Sequence, residues 1–154
     1  FYKNEFLGGI IMLKKILDDN IIITEEVRDW EESIRLAAEP LIEKKSIFPK
    51  YVEAMLGDIE RLGFYVVLRE SVAMPHSRPE NGVLKTSMSL LKLNKPVEYG
   101  ENLIYLIFVL AAKDSEEHIE ALTSFSELLQ NEEDVELLIK AGNIDDIRKI
   151  INKY

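Results

Sequence analysis

"LIYLIFVLAA", Leu103–Ala112, is apolar at nearly every position. A strand with one face in water alternates apolar and polar residues, whereas an unbroken apolar run marks a strand covered on both faces. Working outward from it, four more β-branched or aliphatic runs offer neighbours: "NIIIT" (Asn20–Thr24), "FYVVL" (Phe64–Leu68), "SVAMP" (Ser71–Pro75) and "TSMSLLKL" (Thr86–Leu93). Turn residues, including Asn81-Gly82 and Gly100-Glu101-Asn102, separate the later runs.

Helical periodicity lies on either side of these strands. Trp30, Ile34, Ala37, Ala38, Leu41 and Ile42 recur at helical spacing, with Pro40 expected to disturb the last turns. Pro49 opens a second pattern through Val52, Met55, Leu56, Ile59 and Leu62, with Gly63 as its stop. After Ala112 the period returns: Asp114 is an N-cap with Glu117 at capping-box spacing, and Ile119, Leu122, Phe125 and Leu129 form a buried stripe. Asn131 and Asn143 cap two further helices. The expected fold is therefore α/β, a three-layer sandwich in which a mixed β-sheet of about five strands is flanked by helices on both faces.

The bulk numbers bound the function. The 154 residues suffice for one domain with an ordinary core, and no apolar run approaches the roughly 20 residues that cross a bilayer. Cysteine is absent, which excludes disulfide scaffolds, thiol nucleophiles and thiolate zinc sites and fits a reducing cytoplasm. A formal charge of −9 and the lack of a Lys/Arg stripe argue against direct nucleic-acid binding. Residues 1–11, which lack a secretory-signal pattern, are expected to be a tag remnant or a linker from an upstream domain, with the folded domain running over 12–154.

Two histidines carry the chemistry. His76 follows Pro75 at the exit of the "SVAMP" run and precedes Arg78 and a second proline, so the imidazole is rigidly mounted near solvent beside a cation. Neutral imidazole attacks an electrophile through one ring nitrogen when an acceptor holds the other, and a guanidinium pairs with phosphoryl oxygens. A turn histidine with one satisfied hydrogen bond is the plainer reading. His118 lies at the start of the helix capped by Asp114, where unpaired N–H groups and the helix dipole favour an anion, and an exposed polar residue is its plainer reading. Should the two strand exits be neighbours in the sheet, both imidazoles share a cleft. No HExxH spacing, G-x-S-x-G elbow, Walker loop or G-x-G-x-x-G is present, so metal, cofactor and nucleotide sites have no motif.

The stretch "ESVAMPHSRPENGVLKTSMSLLKL", with "PKYVEAMLGDIERLG" before it and "FVLAAKDSEEHIEALTSFSELL" after it, resembles the enzyme IIA domain of the phosphoenolpyruvate-dependent sugar phosphotransferase system (PTS), mannitol/fructose class. The resemblance spans about Leu13 to Tyr154. It implies that His76 accepts a phosphoryl group from the phosphocarrier protein HPr and passes it to a IIB domain, in the cytoplasm and alongside a membrane IIC component. It implies that His118 helps hold the phosphoryl group, with no cofactor or metal. Mannitol-type members carry an active-site arginine where ungapped counting from His76 places Glu60. Arg78 is the expected substitute and Arg61 the alternative. The "PHSRPENGV" form is similar to the ascorbate-type branch, so an ascorbate-like sugar acid or a pentitol is the expected sugar. The resemblance also admits a regulatory role, as the C-terminal IIA domain of a transcriptional regulator or antiterminator containing PTS regulation domains.

Overall fold

The computed structural model describes residues 12–154; the expected tag or linker lies outside the described residues. The elements are α1 (Leu13–Leu17), β1 (Ile21–Thr24), α2 (Trp30–Glu43), α3 (Pro49–Leu62), β2 (Val67–Arg69), β3 (Ser71–Ala73), a short 3-10 turn (Pro79–Asn81), β4 (Ser87–Tyr99), β5 (Asn102–Ala111), α4 (Ser115–Leu129), α5 (Glu132–Lys140) and α6 (Ile144–Ile151). The five strands form one mixed sheet in the order β1-β4-β5-β3-β2. β1 runs parallel to β4, β4 antiparallel to β5, β5 parallel to β3, and β3 antiparallel to β2.

β5 lies at the centre, and its alternate side chains divide between two cores. Leu106, Phe108 and Leu110 pack with Leu13, Ala121, Phe125, Leu128 and Leu138 on the face covered by α1, α4, α5 and α6. Ile107, Val109 and Ala111 pack with Ile34, Leu41, Tyr51, Met55 and Ile59 on the face covered by α2 and α3. Both faces are dry, which is why the run from Leu103 to Ala112 needs no polar alternation.

Three local expectations are corrected. Pro40 does not break α2, which continues to Glu43. The missing donor costs one helical bond, and buried Leu41, packed with Tyr51 and Met55, holds the last turn against α3 and the sheet. The strand expected over Phe64–Leu68 covers only Val67–Arg69, because Phe64 instead packs edge-on against Trp30 at 5.4 Å and tilts against Tyr99 at 5.6 Å. β4 runs on to Tyr99 through Pro96, at an irregularity between Lys92 and Val97 where the missing donor does not interrupt the ladder.

Strand order sets the position of the chemistry. β3 and β5 are parallel neighbours, with Ala73 opposite Ile107, so both chains leave the sheet at the same end. The ladder continues one step further, with the Leu110 N–H donating to the Pro75 carbonyl at 3.0 Å. His76 is thus the first residue past the sheet's last hydrogen bond. β5 ends at Ala111, and α4 begins at Ser115 under the Asp114 cap.

Candidate functional site

His76 and His118 meet where these two chains leave the sheet. Their ring centroids are 5.5 Å apart with an interplanar angle of 52°. Both are partly buried, at the edge of an open cleft of about 790 Å³ that is also lined by Asp58, Arg61, Tyr65 and Arg78. The sheet, together with α3, therefore brings both histidines and both arginines singled out in the sequence to one cleft.

The His76 ring is fixed from two sides. Its Nδ1 lies 2.9 Å from the Met74 carbonyl oxygen. A carbonyl only accepts, so Nδ1 carries a proton, and in the neutral ring the lone pair is left on Nε2. The Tyr65 ring packs edge-on against the imidazole at 5.7 Å, and its hydroxyl donates to the His76 carbonyl at 3.3 Å. This is the geometry of a neutral imidazole held with one nitrogen ready to attack.

The loop beyond His76 is tied to α3 and β5. The Tyr51 hydroxyl accepts the Ser77 N–H at 2.8 Å and donates to the Leu110 carbonyl at 2.8 Å. Burial pushes the Tyr51 phenol well above its ordinary pKa, so it stays a neutral linker. The Ser77 hydroxyl donates to Asp58 Oδ2 at 2.8 Å and accepts from Asn81 Nδ2 at 2.9 Å. Asp58 Oδ1 accepts from Arg61 Nη2 at 3.1 Å.

The other wall is the start of α4. Asp114 Oδ1 accepts the Glu117 N–H at 2.8 Å, as the cap requires. The Glu117 carboxylate does not close the reciprocal half of the box. It takes a hydrogen bond from the Thr86 hydroxyl instead and lies 3.7 Å from Lys113 Nζ. Burial, and after it the charge of His76, lowers the pKa of His118 below the ordinary value. Two imidazoles this close make a poor pair of cations, and an anion between them relieves that repulsion.

The arginines are held differently. Arg61, with its side chain 66% exposed, is bound to the mostly covered carboxylate of Asp58, which is 20% exposed. Arg78 is 81% exposed, and its ion-pair contact is Glu80 at 3.7 Å. Among the described residues no three His, Asp or Glu side chains converge as metal ligands. Asp58, Ser77, Asn81, Tyr51 and Tyr65 were missed in the sequence. Only Tyr51 and Asp58 had a signal, the helical periodicity of α3, which sets Tyr51 about two turns before Asp58 and Leu62 about one turn after it.

Comparison with known proteins fits this geometry. The family model described as "Phosphoenolpyruvate-dependent sugar phosphotransferase system, EIIA 2" matches residues 15–154. The mannitol-specific cryptic phosphotransferase enzyme IIA component of Escherichia coli K12 is 36% identical over 138 residues, covering 88% of this chain and 94% of that protein. The ascorbate-specific PTS system EIIA component of the same strain is 29% identical over 138 residues, covering 87% of this chain and 90% of that protein. The solution structure of the mannitol-specific cryptic enzyme IIA from Escherichia coli superposes with a TM-score of 0.88 at 34% identity, covering 94% of this chain and all of that one. A solved complex of mannitol enzyme IIA with phosphorylated mannitol enzyme IIB, from the same organism, matches with a TM-score of 0.77 at 29% identity, over 89% of this chain and 96% of that one. On these matches the chain belongs to the EIIA type 2 family of the phosphoenolpyruvate-dependent sugar phosphotransferase system, as a phosphotransferase component.

Proposed function

We propose that this domain accepts a phosphoryl group from HPr on Nε2 of His76 and hands it to a IIB domain. The observation that carries the reading is the His76 ring itself, with Nδ1 committed to the Met74 carbonyl and Nε2 left with its lone pair beside His118. That lone pair forms the new P–N bond as the donor's bond to phosphorus breaks. The same bond breaks when the acceptor attacks, so the domain's task is positioning and charge stabilisation.

His118, at the N-terminal end of α4, stabilises the phosphoryl oxygens, and a cleft arginine supplies further positive charge. Arg61 and Arg78 both line the cleft. Donor and acceptor use one surface in turn, which calls for transient docking. The family match supports work in the cytoplasm beside a membrane IIC component; no helix among the described residues is long and apolar enough to cross a membrane. The "PHSRPENGV" loop supports an ascorbate-like acid or a pentitol as the sugar. Because this cleft handles only phosphoryl groups, the choice between that and a mannitol-type system lies in which IIB it serves.

Incubation with phosphoenolpyruvate, enzyme I and HPr, followed by intact-mass measurement, tests the assignment. One added phosphoryl group on the native chain and none on His76→Ala are expected. An unlabelled native chain, or label persisting in His76→Ala, overturns it. Onward transfer to ascorbate-type and mannitol-type IIB domains then identifies the system.

A further inference from the structure

We propose that Asp58 is a positioning residue for this transfer: its carboxylate holds Arg61 in reserve and yields it to the phosphoryl group once His76 carries one. The inference rests on the phosphoacceptor reading of His76 and adds a regulator of charge inside the same cleft.

The two oxygens of Asp58 do different work. Oδ2 accepts from the Ser77 hydroxyl at 2.8 Å, one residue beyond the phosphoacceptor. That hydroxyl also accepts from Asn81 at 2.9 Å, and the Ser77 N–H is taken by Tyr51. Ser77 is therefore fully engaged, a tether between α3 and the His76 loop with no donor left for a phosphoryl oxygen. Oδ1 accepts a single bond from Arg61 at 3.1 Å, three residues on along α3.

The two halves differ in strength. The Ser77 side is a closed network of short bonds, whereas the Arg61 side is a one-nitrogen contact made by an exposed guanidinium, the kind of pair that is weak in water. A phosphoryl group offers more charge than a carboxylate and two oxygens that a guanidinium meets with two parallel bonds, whereas Asp58 has one oxygen committed to Ser77. Once phosphorus arrives in the cleft, Arg61 has the better partner there. Asp58 stays anchored through Ser77 and recovers Arg61 when the group departs. In the free domain the same carboxylate keeps the exposed cation beside the cleft wall.

The direction of the effect follows. Asp58 competes with the phosphoryl group for Arg61 and so weakens retention of phosphorus, favouring onward transfer. The equilibrium partition of phosphoryl between HPr and this domain reports it. Four forms of the full chain are compared: native, Asp58→Asn, Arg61→Ala and the double variant. Asp58→Asn is expected to shift the partition toward the phosphorylated domain about threefold to fivefold, the scale of an exposed ion pair. Arg61→Ala is expected to shift it the other way, and in the Arg61→Ala background the Asp58→Asn gain is expected to vanish. An unchanged partition in Asp58→Asn, or a gain that persists without Arg61, overturns the proposal while labelling of His76 stands. Should Asp58→Asn fail to fold by circular dichroism, Arg61→Ala alone decides: an unchanged partition refutes the reserve role. A native chain that takes no label removes the functional reading and this inference together.

Discussion

The His118 imidazole stands 5.5 Å from that of His76, and burial together with the His76 charge holds it below its ordinary pKa of 6.5. A base whose folded pKa is depressed binds fewer protons folded than unfolded in the window below 6.5. Its contribution is therefore intact above that value and erodes as pH falls from there toward the folded pKa. The urea midpoint is expected to drop between about pH 7.5 and about pH 5.5 in the native chain, and to drop less in His118→Gln. Identical slopes for the two proteins would remove the coupling. Phosphorylation places an anion beside the same ring, so the His118 ring-proton titration seen by NMR should move to higher pH in the phosphorylated domain.

Tyr51→Phe tests the mount of the His76 loop. The substitution keeps the buried ring but leaves the Ser77 N–H and the Leu110 carbonyl without their shared partner. The cost of such orphaned groups is about 1–3 kcal/mol, and it should appear as a lower denaturant midpoint with an unchanged slope. A looser loop also costs rate, so labelling from HPr should slow. Full labelling rate at reduced stability would show that Met74 and Tyr65 hold the ring without help from Tyr51.

These partners also show where the sequence was readable. The apolar run of β5, the Asp114, Asn131 and Asn143 caps and the Pro75-His76 mount are local patterns, each legible because its physical cause lies within a few residues. That both histidines share a cleft was legible only conditionally, since it depends on β3 and β5 being parallel neighbours. Asp58 reads as one more polar residue on an amphipathic helix, and nothing within α3 reveals a bond to Ser77 nineteen residues away. The length of β4 was hidden because the apolar run stops at Leu93 and Pro96 follows, whereas the strand absorbs the proline in a register shift. Phe64 and Tyr65 have β propensity, but one is drawn into the Trp30–Tyr99 cluster and the other onto His76, a tertiary override of a local preference.

Gly100→Ala separates stability from function. Gly100 turns β4 into β5 with φ of +65°, and a Cβ there would come within 3.0 Å of Phe64 Cδ2. The left-handed backbone alone costs an alanine about 1–2 kcal/mol, and the Phe64 ring must also give way. The turn lies at the opposite end of β5 from the cleft, ten residues or about 30 Å of strand away. A lower melting temperature with the labelling rate retained is expected. A matching loss of labelling below the melting transition would mean that the hairpin and the cleft are coupled.

Arg78→Gln asks the converse question at the cleft mouth. The Arg78 guanidinium is 81% exposed and approaches Glu80 only to 3.7 Å, beyond hydrogen-bond distance, so the fold gains little from it. Its melting temperature should match the native chain. Its place on the His76 loop, facing the same cleft, gives it a part in meeting an incoming anion that glutamine's neutral amide cannot take over. Slower labelling from HPr, more pronounced at low ionic strength where charge steers encounter, is therefore expected. A native labelling rate in Arg78→Gln, together with a defect in Arg61→Ala, would leave Arg61 as the cation that serves the phosphoryl group and would confine Arg78 to the solvated rim.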